Sequence, residues 1–200
     1  LMPLKVFAAL DLADVPARLP RIVPGGARAG VLGPKAASEW NLPAGIAVHI
    51  APGDGGATTV GAGSGEVGNA SGYVGTSGWV SFSADNRGDP ATGVFTLAHP
   101  APGRTIHIAP LLTAGGNLAW ASTAIGDDAD YDVLIERAMV RPPARLLYLP
   151  YLQGERSPFR DPFARGAFIG LDGDTTRDDL LRAVLEGVAL AYRHALGALV

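Results

Sequence analysis

The last part of the chain carries a continuous apolar helical pattern, and this pattern is the strongest constraint on the fold. From Leu180 to Leu199, apolar residues fall on nearly every side of a helix, so the sequence predicts a helix that is buried. Thr176, followed three residues later by Asp179, approximates a capping box and predicts where the helix begins. A chain of 200 residues is long enough to build the core that such a helix requires.

Shorter strand and helix patterns alternate before this helix, and their order predicts an α/β fold. The clearest is a hairpin around the turn Gly75–Gly78, whose glycines suit a tight connection between two strands. A buried strand is predicted over 45–50, which is apolar and bounded by glycine and proline. The other predicted strands are 71–74, 79–82, 94–98, 105–109 and 146–149. The other predicted helices are 4–12, 35–40, 57–63, 115–125 and 131–139.

The composition argues against several classes of function. The net charge of −3 provides no basic surface for nucleic acid or for a membrane. Cysteine is absent, so disulfides and thiolate metal sites are excluded, and the histidines show no metal-ligand spacing. The longest uncharged run, 105–126, is interrupted by Pro110 and by Gly115-Gly116 and is not expected to span a membrane. No signal peptide is visible, and we expect a cytoplasmic protein.

Asp54 is the strongest catalytic candidate among the ionisable residues. It follows the predicted strand 45–50 and has Gly53 and Gly55 as neighbours, so a ligand can approach the backbone beside its carboxylate. A carboxylate in such a place can accept the proton of an attacking hydroxyl. In isolation, an aspartate in a glycine turn is more often simply a turn former.

The Gly75–Gly78 turn is the second candidate. Its backbone N–H groups and the hydroxyls of Thr76 and Ser77 can point towards one anion, as in a phosphate-binding nest. An ordinary hairpin is the commoner interpretation of such a turn. A charged segment further along is interpreted as a solvated or salt-bridged loop rather than a site. Its residues are Glu155, Arg156, Asp161 and Arg165.

The segment 148–171 carries a resemblance to a known family. Its diagnostic parts are Leu149-Pro150-Tyr151-Leu152, Gly154-Glu155-Arg156-Ser157-Pro158, Gly166, Phe168, Gly170 and Leu171, continued by Asp179, Leu180 and Ala183-Val184-Leu185-Glu186. This pattern resembles the hallmark segment of the FGGY carbohydrate kinases, which phosphorylate sugars with ATP. The resemblance implies the second lobe of an actin-like, ribonuclease-H-like α/β fold, with a mixed sheet and flanking helices.

The same resemblance predicts how the chain is organised. A complete family kinase has two lobes and is more than twice this long, so we expect a fragment. Residues 1–45 are predicted to be the end of the first lobe or the interlobe segment. Residues 46–200 are predicted to be the second lobe, truncated. A homodimer is compatible with the resemblance. The fragment alone is expected to be inactive, because the opposing lobe and the adenosine pocket lie outside it.

The resemblance also assigns roles to individual residues. Family members place a general-base aspartate in a turn like 51–57, which predicts Asp54 as the catalytic base and, with Gly55, as a sugar-binding residue. A Gly-Thr-Ser-Gly turn touches the ATP phosphates in the family. The segment Thr113–Trp120 resembles the start of a nucleotide-binding helix, although Ala119 stands where glycerol kinases have a glutamine. The ATP-binding residues that follow from these matches are Gly75, Thr76, Ser77 and Gly115.

The expected reaction is ATP-dependent phosphorylation of a ketopentose such as xylulose, because the run 149–158 is similar to the xylulokinase–gluconokinase side of the family. Gluconate or another polyol or sugar acid is an alternative, since Gly55 stands where xylulokinases often have an amide residue and gluconate kinases often show Asp-Gly. A non-catalytic sugar- or nucleotide-binding relative, or an inactive isolated lobe, is the alternative from another class. ATP and Mg²⁺ are the implied cofactors, and no metal-ligand residues are assigned.

Overall fold

The computed structural model of the chain describes residues 4–12, 14–20, 23, 25–126 and 128–199. They belong to two compact units, Leu1–Ala51 and Pro52–Val200. The predicted lobe boundary between residues 45 and 46 stays a prediction. None of the helices in the described ranges combines the length and the apolar character that crossing a bilayer requires.

The first unit is small and largely exposed. Its helix α3 (Pro34–Trp40) begins with a proline, whose fixed φ suits a first helical turn. Asn41 follows the helix as its C-cap in the left-handed conformation (φ 52°). Both of its strands are exposed, so the prediction of a buried strand over 45–50 is wrong within this unit. The reason is that the two strands pair only with each other in the described part of the unit. Its elements are α1 (Leu4–Ala9), α2 (Val15–Arg18), β1 (Arg28–Val31), α3 (Pro34–Trp40) and β2 (Ala47–His49).

The second unit is built on a four-stranded antiparallel sheet with the order β3-β4-β6-β5. The predicted hairpin is confirmed, since Tyr73 pairs with Trp79 and Val74 pairs with Gly78. Gly78 also pairs with Leu111, which places β6 beside β4. The strands are β3 (Ala70–Val74), β4 (Gly78–Ala84), β5 (Phe95–Ala98) and β6 (Thr105–Leu111).

Helices cover both faces of this sheet. Helix α4 (Asp54–Gly61) lies near Leu97 and Ile108. A Cβ at Gly55 of this helix would be 3.2 Å and 3.9 Å from their side chains. Ala109 belongs to a cluster with α7, and neighbouring strand residues point to opposite faces, so α7 covers the other face. The remaining strands form a separate two-stranded antiparallel sheet. The elements are α4 (Asp54–Gly61), α5 (Gly116–Ala124), α6 (Tyr131–Met139), β7 (Leu147–Leu149), β8 (Ala167–Ile169) and α7 (Arg177–Gly197).

Helix α7 joins two hydrophobic clusters. Its first half packs with α5, α6 and β7, and its second half packs on the four-stranded sheet. The buried members of the first cluster are Ala121, Leu134, Ala138, Leu146, Tyr148, Leu181, Ala183 and Val184. Those of the second cluster are Val80, Val94, Ala109, Leu111, Ala191, Ala195 and Leu199.

The sequence makes two predictions about α7, a capping box at its start and burial on nearly all sides, and they have different outcomes. The capping box is confirmed, because the Thr176 side chain accepts from the Asp179 amide and the Asp179 side chain accepts from the Thr176 amide. Burial on nearly all sides is wrong, because the sheet and the other helices leave one side of the helix uncovered. Leu190 on that side is 56% exposed, and Ala189, Arg193 and His194 are exposed with it.

Ion pairs connect the start of α7 to α6. Arg137 lies 2.6 Å from the Asp178 carboxylate, and Arg141 lies 2.8 Å from the Asp179 carboxylate. The hydrogen bond from the Thr176 hydroxyl, together with the Arg141 guanidinium, lowers the pKa of Asp179 to about 2,. This carboxylate is therefore charged at neutral pH, and it caps α7 while it pairs with Arg141, two residues after the end of α6.

The close packing of α7 on β7 predicts that Gly187 cannot be enlarged. A Cβ at this position would overlap the carbonyl of Tyr148, so Gly187→Ala should lower the free energy of unfolding by about 1–3 kcal/mol. Gly197→Ala is the matched control in the same helix, because its Cβ would meet only the Arg193 guanidinium at 3.7 Å. Urea denaturation should show the control as unchanged or slightly more stable. Equal stabilities for both variants would contradict the packing argument.

Candidate functional site

The hairpin turn between β3 and β4 caps the beginning of α5. The Thr76 carbonyl accepts hydrogen bonds from the amides of Ala114 (2.9 Å) and Gly116 (3.0 Å), and the Gly75 carbonyl accepts one from Gly115 (2.8 Å). Helix α5 has no side-chain cap, so these carbonyls satisfy amides that the beginning of a helix leaves unpaired. The turn and the helix are thereby fixed to each other through their main chains.

The glycines at the start of α5 make this close approach possible. A Cβ at Gly115 would lie 2.7 Å from the Gly75 carbonyl oxygen, and a Cβ at Gly116 would lie 3.0 Å from the Thr76 carbonyl oxygen. The first distance is too short for a carbon–oxygen contact, and the second is tighter than most real contacts,. Gly115, predicted as a nucleotide-binding residue, thus has a packing role against the turn, and its role towards a nucleotide stays a prediction.

The Gly75 and Thr76 carbonyls are used by α5, but the turn keeps the hydrogen-bond donors of Thr76 and Ser77 free. The Gly75 amide is used inside the turn, where it donates to the Ser77 carbonyl (2.9 Å). Within the described ranges, the amides and hydroxyls of Thr76 and Ser77 make no hydrogen bond to the protein. Two amides and two hydroxyls on consecutive residues are therefore available to an anion, as in a backbone nest.

Tyr192 of α7 holds the turn from the other side. Its hydroxyl donates to the Tyr73 carbonyl at 2.6 Å, and burial raises the pKa of Tyr192 to about 12, so the hydroxyl stays protonated. A Cβ at Gly78 would overlap this hydroxyl, which explains the second glycine of the turn. The Tyr73 ring stacks on Trp79 with a centroid separation of 4.0 Å.

The turn opens onto a cavity of about 630 Å³. One of its walls comes from α5, where Trp120 is 38% exposed and lies parallel to Tyr148 at a centroid separation of 6.0 Å. Polar and apolar groups both contribute to the lining. The lining residues are Thr76, Ser77, Leu112, Thr113, Gly116, Ala119, Trp120, Leu152 and Gln153.

A buried carboxylate connects two of the cavity walls. Glu155 is 4% exposed, and its Oε1 atom accepts hydrogen bonds from the amides of Leu112 (3.2 Å) and Arg156 (2.8 Å). Burial raises the pKa of Glu155, and the amide hydrogen bonds oppose that shift. The segment is predicted to be a solvated or salt-bridged structural loop. Glu155 does have structural contacts, but among the described residues they are hydrogen bonds from main-chain amides to its buried carboxylate rather than water or an ion pair. Its role is to hold the segment that carries Leu152 and Gln153 against the end of β6.

Asn117 is a buried polar residue that the sequence reasoning missed. Its side-chain amide donates to the carbonyls of Thr113 (3.0 Å) and Ala114 (3.2 Å), and its Oδ1 atom accepts from the Tyr148 hydroxyl (2.8 Å). Burial raises the pKa of Tyr148 to about 12, so this hydroxyl remains a donor. An asparagine inside an apolar helical run was the available signal, because a buried amide needs partners.

Asp54 and Gly55 are not among the residues that line this cavity. Asp54 is exposed and is the first residue of α4, which begins three residues before the predicted helix 57–63. Its Oδ1 atom accepts a hydrogen bond from the Gly55 amide at 2.7 Å. Gly55 packs towards the β5–β6 side of the sheet, whereas the turn joins β3 and β4. The structure thus brings Gly75, Thr76, Ser77 and Gly115 together, and among the described residues it records no contact of Asp54 or Gly55 with them.

Metal ligands do not converge in the described part of the chain. Among those residues, no three histidine, aspartate or glutamate side chains form a group that could bind a metal ion. Magnesium bound to nucleotides generally takes most of its ligands from phosphates and water and only one or two from carboxylates. The site is therefore a turn with unbonded hydrogen-bond donors beside a cavity.

Comparison with known proteins identifies the family of the chain. Residues 73–200 match the C-terminal domain of the FGGY family of carbohydrate kinases. A xylulose kinase from Klebsiella pneumoniae is 34% identical over 195 residues, which cover 96% of this chain and 40% of that protein. The chain thus spans about 40% of the length of this curated relative.

Solved structures extend the likeness to the fold. A crystal structure of a xylulose kinase from Brucella ovis superposes with a TM-score of 0.87 and is 33% identical, covering 98% of this chain and 40% of that one. The xylulose kinase from Rhodospirillum rubrum gives a TM-score of 0.82 at 30% identity, covering 95% and 39% respectively. The expected fold, the second lobe of an actin-like kinase with sheets and flanking helices, is confirmed.

The position of Glu155 predicts a sharp difference between two substitutions. Glu155→Ala leaves the amides of Leu112 and Arg156 without their acceptor, so the free energy of unfolding should fall by about 1–3 kcal/mol. Glu155→Gln keeps the single oxygen that receives both bonds and removes a buried charge, so its stability should stay close to that of the parent. Urea denaturation of the two variants measures the difference, and a destabilised glutamine variant would show that the charge itself is required.

Proposed function

Because the chain belongs to the FGGY family of carbohydrate kinases, we propose that the complete protein transfers a phosphoryl group from ATP to a sugar hydroxyl. The single observation that carries this proposal is the hairpin turn, whose residues Thr76 and Ser77 line the 630 Å³ cavity and have amides and hydroxyls without a hydrogen bond to the described residues. Donors of this kind suit phosphate oxygens, and the cavity has the size of a small-molecule site.

The residues of the site fit a nucleotide with its phosphates at the turn. Thr76 and Ser77 would donate hydrogen bonds to phosphate oxygens, and Gly75 and Gly115 would keep the turn and α5 in place. ATP supplies the phosphoryl group when it is bound, and Mg²⁺ neutralises the phosphate charge. Tyr192 and the α5 amides fix the turn before any ligand arrives, which reduces the entropy lost on binding.

Asp54 is proposed as the general base. It would accept the proton of the attacking sugar hydroxyl, and Gly55 would allow the sugar to approach the backbone beside it. Its exposed position at the first turn of α4 leaves the carboxylate accessible to a substrate.

Xylulose is the proposed substrate. The three relatives described above are all named as xylulose kinases, and the run 149–158 resembles that side of the family. Gluconate remains the competing candidate because Gly55 follows Asp54.

A panel of D-xylulose, other pentuloses, polyols and gluconate, with sugar-dependent ADP formation as the readout, tests the function. Absence of turnover with every member would contradict it. We place the reaction in the cytoplasm.

Replacing the proposed base gives a direct test of its role. In the complete gene product, Asp54→Asn should lower kcat by at least about a hundredfold, the usual scale for a positioned base, with little change in KM for ATP. Asp132→Asn is the matched control, because Asp132 is an exposed carboxylate on α6. Steady-state kinetics of both variants decides the assignment, and near-normal turnover of Asp54→Asn would remove it.

The 200 residues alone are proposed to be inactive. Phosphoryl transfer depends on positioning and on charge stabilisation rather than on one reactive group, and the chain spans about 40% of the length of its relatives. Surfaces that orient the sugar and exclude water are expected from the remainder of such proteins. ATP consumption by the purified 200 residues with the same panel is the measurement. Sugar-dependent turnover of about 1 s⁻¹ or more, an ordinary kinase rate, would show that the site is complete within them.

A further inference from the structure

Gln153 is a polar group of the cavity that the proposed function has not used. It is the only glutamine in the chain, it is exposed, and it lines the same cavity as Thr76 and Ser77. Within the described residues, its side-chain amide makes no hydrogen bond to the protein. A rigid neighbour supports it, because Glu155 two residues later is anchored to the end of β6.

Along the α5 wall of the cavity, polar groups lie near the start of the helix and apolar groups lie further along it. The turn contacts the first residues of the helix, whereas Ala119 and Trp120 lie about one helical turn, on the order of 5 Å, further along. One helical turn away from the hairpin turn, the α5 wall of the cavity is apolar, and the short side chain of Ala119 leaves space beside it. The Thr113 hydroxyl is enclosed and has no exposed surface, so the Gln153 amide is the accessible polar side chain beyond the turn.

We propose that the side-chain amide of Gln153 hydrogen-bonds a ribose hydroxyl of the bound nucleotide. This inference rests on the proposed function, which puts the phosphates at the turn. The ribose is joined to the phosphate chain, so it falls about one helical turn away, in the part of the cavity between Trp120 and the 152–153 segment. A ribose hydroxyl both donates and accepts a hydrogen bond, and an amide side chain offers both complements. Phosphate oxygens would use only donors.

The experiment compares nucleotides that differ by one hydroxyl. The complete gene product is assayed with ATP, 2′-deoxy-ATP and 3′-deoxy-ATP under saturating sugar. The parent protein should prefer ATP over at least one deoxy analogue by about 3–10-fold in kcat/KM, the range of one neutral hydrogen bond. Gln153→Ala should raise KM for ATP by the same factor, leave kcat within about twofold, and abolish that preference.

Two further variants separate the hydrogen bond from packing and from general effects on the loop. Gln153→Met keeps the length of the side chain but removes the amide, so it should lose the preference as Gln153→Ala does. Arg165→Ala is the control, because Arg165 lies on the same segment, bonds the carbonyls of Pro162 and Ala164, and does not line the cavity. It should retain the parent's KM and preference.

Two results would overturn the proposal. One is an unchanged KM and preference in Gln153→Ala. The other is an equal rise in KM for all three nucleotides with the preference intact, which would mean that Gln153 does not contact the ribose. Calorimetry measures the binding of the three nucleotides without sugar, so its result does not depend on whether the protein phosphorylates a sugar. A protein that binds ATP with the expected preference but phosphorylates no sugar would refute the proposed reaction and support the role of Gln153.

Discussion

Helix α7 is the element on which the rest of the second unit depends. Among the described residues, it is the one helix that contributes to both hydrophobic clusters, so the four-stranded sheet and the α5–α6 layer are packed against the same helix. Its capping box and the Arg141–Asp179 pair fix its first turn, and Gly187 lets it approach the main chain of β7. A shift of this helix would therefore disturb two cores at once.

The same helix extends this order to the candidate site. Tyr192 holds the Tyr73 carbonyl at the end of β3, and the turn that follows provides the carbonyls that cap α5. The capping consumes the acceptors of the turn and leaves the donors of Thr76 and Ser77 facing a cavity. The main chain of this hairpin turn is fixed on two sides, so binding the proposed phosphate would require little reorganisation of the turn.

The walls of the cavity are joined by buried polar groups rather than by apolar packing alone. Asn117 and Tyr148 connect the start of α5 to β7, and Glu155 connects the end of β6 to the segment that follows β7. Each of these groups satisfies main-chain or side-chain partners that would otherwise be buried without a hydrogen bond. This arrangement fixes the walls of the cavity without a ligand, and the proposed contact between Gln153 and a ribose depends on those walls.

The sequence by itself determined the features that depend on neighbouring residues. Thr176 and Asp179 defined the start of α7, the glycines of the 75–78 turn defined the hairpin, and the segment 148–171 indicated the family. Only the tertiary structure decided what depends on distant residues. Local periodicity could not reveal that one side of α7 stays exposed at Leu190, or that Asp54 begins a helix and is not among the residues that line the cavity. Glu155 reaches an amide 43 residues away, and Tyr192 reaches a carbonyl 119 residues away. Such contacts follow from how the layers pack, and no pattern within a single element contains them.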